Sequence, residues 1–327
     1  MKKAGRTRAC LLLVALITLG EGRLFDRLLY LAPAEYGFVR QNIAGILAGT
    51  PVWKAFQHRV LGPALVVALD HLTGDSLRSL QIYGQLMAAA ANLLLFWIVR
   101  RRGGRPSDGV RAVAGFGLAR LLLTFKLEMP WDGPDILIFL AFGYWASKGG
   151  AILRLIPLLL AGTLNHETAL FIPLWYLLGW LERPPAPARA PLRTLVAPAM
   201  VLAAMAALIL AVRAHFYLGP PPISGLTFEP TTPLISNPIH LVHNLGEFLG
   251  DDWIALGRVF VGAGLLTLLV VLIANVAKRR RVQASIWSLC VLASIFTFGY
   301  VNETRLYFPL LAFWAAYAWP IPADESS

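Results

Sequence analysis

Long apolar segments alternate with short polar ones along almost the whole chain, from Leu11 to Pro320. An α-helix needs about 20 apolar residues to cross the hydrocarbon core of a bilayer, and fewer where its ends are buried in protein. The segments that meet this criterion are Leu80–Val99, Val110–Leu127, Ile136–Ala146, Ile152–Leu164, Ala169–Leu181, Leu195–Val212, Ala255–Val276, Ser285–Tyr300 and Tyr307–Pro320. With a first helix at Cys10–Leu19 and a shorter segment at Leu61–Leu69, the pattern predicts ten or eleven crossings by one all-α membrane domain, residues 1–327.

The composition supports a multi-pass membrane protein. Hydrophobic residues make up 57% of the chain and charged residues 14%, whereas a typical soluble domain has roughly 45–50% and about 25%. The net charge of +11 comes from short basic clusters between apolar segments, which is typical of cytoplasmic loops and not of a nucleic-acid-binding face. Cys10 and Cys290 lie in apolar segments, so neither a disulfide framework nor a cysteine metal site is indicated.

The basic clusters also orient the predicted helices. Lys278–Arg281, the Pro/Ala-rich linker 183–193 and Arg100–Arg105 are expected in the cytoplasm. The N-terminus is expected there too, on a first helix that is not cleaved, because no clean small-x-small cleavage site follows its apolar region. The outer side of what we interpret as a bacterial inner membrane then receives a large segment, 215–255.

The N-terminal part has an unresolved count of crossings. The prediction places a first outer loop with interfacial helices at 21–60. Three candidate crossings precede Arg100, although an even number is required if both Met1 and Arg100 are cytoplasmic. Either Leu61–Leu69 does not cross, or the stretch 24–60 contains a further element.

Two carboxylates and two prolines lie between long apolar segments at Pro130–Asp135. Asp132 and Asp135 are three residues apart where a helix begins, so both can face one side near its N-terminus, where negative charge is favoured. They could form a base or metal-binding pair, or they could cap the helix after a loop, with Pro134 in its first turn.

A second polar interruption, Asn165–Thr168, divides another long apolar stretch. Its His-Glu pair resembles half of a zinc-protease motif, but Leu170 stands where the second histidine is required, which excludes that class. His166 and Glu167 are therefore expected either to contact a polar substrate or to form a solvated turn.

Two arginines are candidates for binding a phosphate. Arg305 lies on the side of the membrane where arginine is disfavoured, and its planar fork could hold a phosphate or form an ion pair with Glu303. Arg59, before the apolar Leu61–Leu69, could bind a substrate or anchor the chain among lipid headgroups.

The order of these features resembles the GT-C superfamily, the polytopic glycosyltransferases that use lipid-phosphate sugar donors. The similarity rests on an acidic first outer loop (Glu21, Asp26, Glu35), an Arg-x-x-x-Pro entry (Arg59–Pro63), an arginine-rich turn (Arg100–Arg105), an outer Asp-x-Pro step (Asp132–Pro134) and a late Glu-x-Arg (Glu303–Arg305).

The resemblance implies roles for the candidate residues. Asp26, with Glu35 behind it, would be the general base, and Asp132 would orient the acceptor or assist a metal. Arg59 and Arg305 would bind the donor phosphate, and His166 and Glu167 would hydrogen-bond sugar hydroxyls. Asp135 and Glu303 are also expected to bind substrate.

Two departures from that family limit what the resemblance implies. The first outer loop lacks an Asp-x-Asp pair, so no metal or other cofactor is expected, and no soluble C-terminal domain is expected after the helices. The expected partners are a lipid-linked sugar donor, the bilayer and an acceptor of unknown kind. A transporter, another envelope transferase or polymerase, and a non-catalytic scaffold remain alternatives.

Overall fold

The computed structural model describes residues 2–31, 33–48, 59–124, 129–179, 190–216, 240–249, 273, 280–299 and 304–318. Helix dominates these ranges and no strand occurs in them, which confirms the all-α prediction for this part of the chain. Two predicted features lie mainly outside the described residues. Of the crossing at Ala255–Val276 only residue 273 is described, and of the outer segment 215–255 only residues 215–216 and 240–249.

The α-helices are α1 (Lys2–Leu31), α2 (Pro33–Ala48), α3 (Leu61–Thr73), α4 (Ser76–Arg101), α5 (Pro106–Leu123), α6 (Asp132–Ser147), α7 (Ile156–Asn165), α8 (Phe171–Leu178), α9 (Ala190–Phe216), α10 (Leu241–Leu249), α11 (Arg281–Phe298) and α12 (Phe308–Ala318). Short 3-10 helices occur at Ile152–Leu155, Glu167–Leu170 and Thr304–Tyr307.

Within the described residues, three stretches of helix are long and apolar enough to cross a membrane: α4, the Leu195–Val212 part of α9, and α11. Helix α3, α12 and the two helical stretches on either side of His166 are apolar but shorter. The described ranges therefore support membrane-crossing helices without confirming ten or eleven of them. Helix α3 has 13 residues and is about 20 Å long, less than the roughly 30 Å of a hydrocarbon core, which favours the alternative that Leu61–Leu69 does not cross.

The first helix is longer than the predicted Cys10–Leu19. Helix α1 continues to Leu31 and α2 begins at Pro33, so Glu21 and Asp26 lie on α1 and Glu35 lies on α2. The placement of residues 21–60 on the outer side stays a prediction. Glu21 can be helical and buried because a cation compensates its charge.

That cation is Arg120 of α5, whose Nη1 lies 3.1 Å from Glu21 Oε1, with both side chains at most 2% exposed. Asn92 of α4 donates from Nδ2 to Glu21 Oε2 at 2.8 Å and to Thr18 Oγ1 at 3.0 Å. The pair joins α1 to α4 and α5 deep in the protein.

An aromatic core lies where α6 and α12 pack together. A Cβ on Gly143 would overlap the carbonyl region of Phe313, so glycine permits the close approach of the two helices. Phe313 lies 4.4 Å from the ring centroid of Trp287 and 5.0 Å from those of Phe142 and Trp175.

Basic residues collect at one end of this core. Arg102 donates to the Ala316 carbonyl at 3.2 Å, and Arg280 donates to the Ala146 carbonyl and to the Tyr317 hydroxyl at 3.1 Å each. The ends of α4, α6 and α12 and the start of α11 therefore meet here, and we call this region the basic end. Helix α6 begins with an acidic first turn and ends at the basic end. Asp135 therefore lies about 16 Å along the helix axis from Ala146, whose carbonyl contacts Arg280.

Candidate anion-binding site

The first turn of α6, the turn between α7 and the 3-10 helix Glu167–Leu170, and the residues before α3 meet at the end opposite the basic end. We call this cluster the polar site; its members are Arg59, Trp131, Asp132, Asp135, Asn165, His166, Glu167 and Thr168. All are buried or half-buried. The cluster combines the two polar interruptions of the sequence with a residue more than 70 positions earlier.

Glycine and tyrosine fix the Pro130–Trp131 backbone at this site. A Cβ on Gly62 would lie 2.9 Å from the Trp131 amide nitrogen and closer still to the Pro130 carbonyl, so only glycine lets α3 approach this far. The hydroxyl of Tyr83 on α4 donates to the same carbonyl. Trp131 is fully buried as a result.

Asp132 begins α6 and stabilises the turn that precedes it. Its Oδ2 accepts a hydrogen bond from the Met129 amide at 2.7 Å, and the residue is 6% exposed. A carboxylate at a helix N-terminus is also favoured by the helix dipole. This hydrogen bond goes to an amide before the helix and not to an amide of its first turn, so the capping interpretation and a role toward an acceptor both stay predictions.

Asp135 ties α6 to the turn after α7. Its Oδ1 accepts from Asn165 Nδ2 at 2.9 Å and its Oδ2 accepts from Thr168 Oγ1 at 2.9 Å. Asn165 also donates to the Trp131 carbonyl at 2.7 Å, while its own buried Oδ1 accepts no hydrogen bond from the described residues. Both carboxylate oxygens of Asp135 thus hold neighbouring side chains in place.

His166 has a preferred tautomer. Its Nδ1 accepts a hydrogen bond from the Thr168 amide at 3.1 Å and caps the 3-10 helix, so the proton of the neutral ring is assigned to Nε2. The nearest carboxylate oxygens to Nδ1, from Asp135 and Glu167, are 3.7 and 3.8 Å away. In this state the ring presents an N–H donor at Nε2.

Arg59 forms an ion pair with Glu167. Its Nη2 lies 2.6 Å from Glu167 Oε1 and its Nε lies 3.3 Å from Glu167 Oε2, a two-pronged contact with one carboxylate. Its guanidinium carbon is 5.0 Å from the ring centroid of Trp131, which is within cation–π range. The arginine side chain is 5% exposed and the glutamate side chain is 38% exposed.

Five of the predicted site residues are therefore close together: Arg59, Asp132, Asp135, His166 and Glu167. The side chains of Asp26 and Arg305 are not among those described, and Glu303 lies outside the described residues, so their roles stay predictions. The described ranges contain no group of three or more His, Cys, Asp or Glu side chains that could hold a metal ion.

Sequence reasoning did not identify Tyr83 or Gly62 as part of this site. Neither residue has a local signal, because a tyrosine and a glycine in apolar helices are common and their contacts to Pro130 depend on how α3 and α4 pack. Trp131 lies within the predicted Pro130–Asp135 motif, but nothing in the sequence indicates that its ring contacts Arg59.

Comparison with protein-family models, with curated proteins and with solved structures finds no match for this chain. The fold and the site define an all-helical protein with apolar helices and a buried arginine that holds a carboxylate at one end of the helices.

Proposed function

We propose that this protein is a multi-pass inner-membrane glycosyltransferase that takes a sugar from a polyprenyl-phosphate donor at the outer face. The observation that carries the proposal is Arg59, a buried guanidinium with a two-pronged carboxylate contact, at the end of the helices opposite the basic end. An arginine fork that fits two carboxylate oxygens also fits two phosphate oxygens.

Apolar side chains on the outside of the helices support a bilayer location. On α1, Leu12, Leu16 and Leu19 are more than half exposed, and on α9 Met200 and Leu210 are about two-thirds exposed. Exposed apolar surfaces of this kind are typical of contact with lipid or another protein. Together with the three candidate crossings they support the proposal that these helices lie in a bilayer, with the basic end on the cytoplasmic side.

The proposed reaction is attack of an acceptor hydroxyl on the anomeric carbon. The new bond joins the acceptor oxygen to that carbon, the bond between that carbon and the phosphate oxygen breaks, and polyprenyl phosphate leaves with the electron pair. The acceptor proton passes to a base. Arg59 stabilises the charge that grows on the leaving phosphate, which is where a preformed cation contributes most to catalysis.

Other residues of the site take roles that follow from their contacts. His166 is suited to donate a hydrogen bond to a sugar hydroxyl, because its Nδ1 already accepts from Thr168. Asp135 acts as a positioning residue, since both of its oxygens accept from Asn165 and Thr168. Asp26 remains the predicted base and Arg305 a predicted second phosphate ligand.

A membrane transporter is the second candidate, and the buried Glu21–Arg120 pair is the observation that favours it. Transporters place ionisable groups on helices at membrane depth. Transport would require this pair to separate during a cycle, whereas a transferase can keep it closed throughout.

Transfer itself is the test of the proposal. The purified protein in nanodiscs receives undecaprenyl phosphate carrying a radiolabelled hexose or pentose, with a membrane glycan and lipid extract as acceptor. We expect label in an acceptor, a loss of at least about tenfold for Arg59→Ala, and little change for Arg111→Ala, an exposed arginine near the basic end. Absence of both transfer and carrier binding would reject the proposal.

A further inference from the structure

The two members of the Arg59–Glu167 pair differ in how firmly the protein holds them. Arg59 is 5% exposed and lies against the buried ring of Trp131, whereas the Glu167 side chain is 38% exposed. Glu167 also belongs to a short 3-10 helix at the turn after α7, so its side chain can leave the arginine without unfolding an α-helix. The arginine is the fixed member and the carboxylate is the one that can move.

We propose that Glu167 occupies the anion subsite of Arg59 in the resting protein, and that a phosphate group of the lipid-linked donor displaces it. This inference rests on the proposed function for the identity of the lipid, but the ligand chemistry, a phosphate with two free oxygens, follows from the arginine geometry. The sequence prediction that Glu167 contacts a sugar hydroxyl is compatible with it, because the released carboxylate stays beside the bound donor.

The charges match in such an exchange. A polyprenyl-phosphate sugar is a phosphodiester, with one negative charge and two non-bridging oxygens, as in a carboxylate. The arginine therefore exchanges one monoanion for another and keeps both prongs of its contact. Glu167 regains water on release because it is already partly exposed, so the desolvation cost of separating the pair falls mainly on Arg59, which the phosphate satisfies.

The proposal makes a prediction of sign that separates it from a purely supporting role. If Glu167 competes with phosphate, Glu167→Gln tightens phosphate binding, because the neutral amide is a weaker partner for the guanidinium. If Glu167 instead holds Arg59 in its binding position, the same substitution weakens binding. The contact with Trp131 restrains Arg59 both in wild type and in Glu167→Gln.

The experiment measures equilibrium binding by native mass spectrometry of the full chain in a detergent that contains no phosphate group. Three probes distinguish the source of the phosphate: undecaprenyl phosphate, phosphatidic acid and inorganic phosphate. The variants are Glu167→Gln, Glu167→Ala, Arg59→Ala and the double variant Arg59→Ala/Glu167→Gln. Asp70→Asn, a half-buried acid near the end of α3, is the matched charge control.

We expect Glu167→Gln and Glu167→Ala to tighten undecaprenyl phosphate binding by about threefold or more, the range of one partly exposed ion pair. The gain should vanish in the Arg59→Ala background, and Asp70→Asn should bind as wild type does. If removal of the Glu167 charge tightens binding even without Arg59, the effect is repulsion between that carboxylate and the phosphate, and the subsite proposal is overturned. Unchanged or weaker binding by both Glu167 variants would overturn it too.

The probes separate this inference from the proposed function. One outcome is that the Glu167 variants bind phosphatidic acid or inorganic phosphate more tightly, that this increase requires Arg59, and that no form of the protein binds undecaprenyl phosphate. In that case the subsite stands and the lipid-carrier function fails. If wild type binds undecaprenyl phosphate and the Glu167 variants bind it no more tightly than wild type does, the function stands and the displacement fails. No binding of any probe by any form would reject both.

Discussion

The guanidinium of Arg59 lies over the ring of Trp131, 5.0 Å from its centroid, while the same group binds the carboxylate of Glu167. The ring remains in contact with the arginine when the carboxylate is displaced. An arginine held in this way loses little further freedom when an anion binds, which favours affinity.

Trp131→Phe keeps an aromatic face beneath Arg59 but weakens it, because indole is the best cation–π partner. We expect phosphate-lipid affinity to fall by about threefold, corresponding to roughly 0.5–1 kcal/mol. Trp131→Leu should lower affinity further, and it should also lower stability because the tryptophan is fully buried. Affinity and thermal stability measured on both variants check this, and equal affinity of Trp131→Leu and wild type would contradict it.

Gly62→Ala tests how closely α3 must approach the polar site. The added methyl group would overlap the Pro130 carbonyl, so we expect a loss of about 1–3 kcal/mol in the free energy of unfolding and weaker phosphate binding. Gly84→Ala on α4 is the matched control, since a Cβ there meets nothing within 4 Å. The control should be neutral or stabilising by up to about 1 kcal/mol. Both are measured by SDS titration in mixed micelles, and equal effects of the two alanines would contradict the packing account.

Asp135→Asn and Asp135→Leu separate a positioning role from a charged one. Asparagine can accept from Asn165 through its oxygen and donate to the Thr168 hydroxyl through its amide, so we expect stability and phosphate binding close to wild type. Leucine leaves the buried Asn165 amide without this acceptor and should cost about 1–3 kcal/mol. A loss of transfer by Asp135→Asn with normal folding would show instead that the charge of Asp135 is used in the reaction.

The buried Glu21–Arg120 pair predicts strongly non-additive effects on stability. Glu21→Leu or Arg120→Met alone leaves one buried charge without its counterion and should cost about 3–5 kcal/mol, whereas the double variant should recover most of that loss. Arg111→Ala breaks the pair with Asp108 that involves an exposed arginine and should cost no more than about 1 kcal/mol. Additive losses in the double variant, measured by unfolding in mixed micelles, would contradict direct pairing.

Local chemistry made part of this arrangement predictable from sequence. Proline and carboxylates at Pro130–Asp135 and the polar residues Asn165–Thr168 interrupt apolar segments, and both form the expected turns at helix ends. The end of α3 also has a local signal, Gly74, whose positive φ of 68° suits glycine, although the predicted apolar segment ends earlier, at Leu69.

Contacts between distant residues could not be read in the same way. Arg59 and Glu167 are 108 positions apart, and each alone is compatible with an interfacial or solvated position. Glu21 follows an apolar segment and is predicted to lie in the first outer loop, and Arg120 is a single cation in an apolar stretch, so neither residue alone indicates its partner. Only the packing of α1 against α5 shows that the two charges compensate each other.

The most direct test of the central claim is the affinity of the purified protein for undecaprenyl phosphate in nanodiscs, compared between wild type, Arg59→Ala and the control Arg111→Ala. The account predicts saturable binding by wild type and by Arg111→Ala, and at least about tenfold weaker binding by Arg59→Ala, the loss expected for a charge-assisted phosphate contact. Equal binding by Arg59→Ala and wild type would contradict the assignment of Arg59 as the phosphate ligand, and no binding by wild type would contradict the lipid-phosphate function.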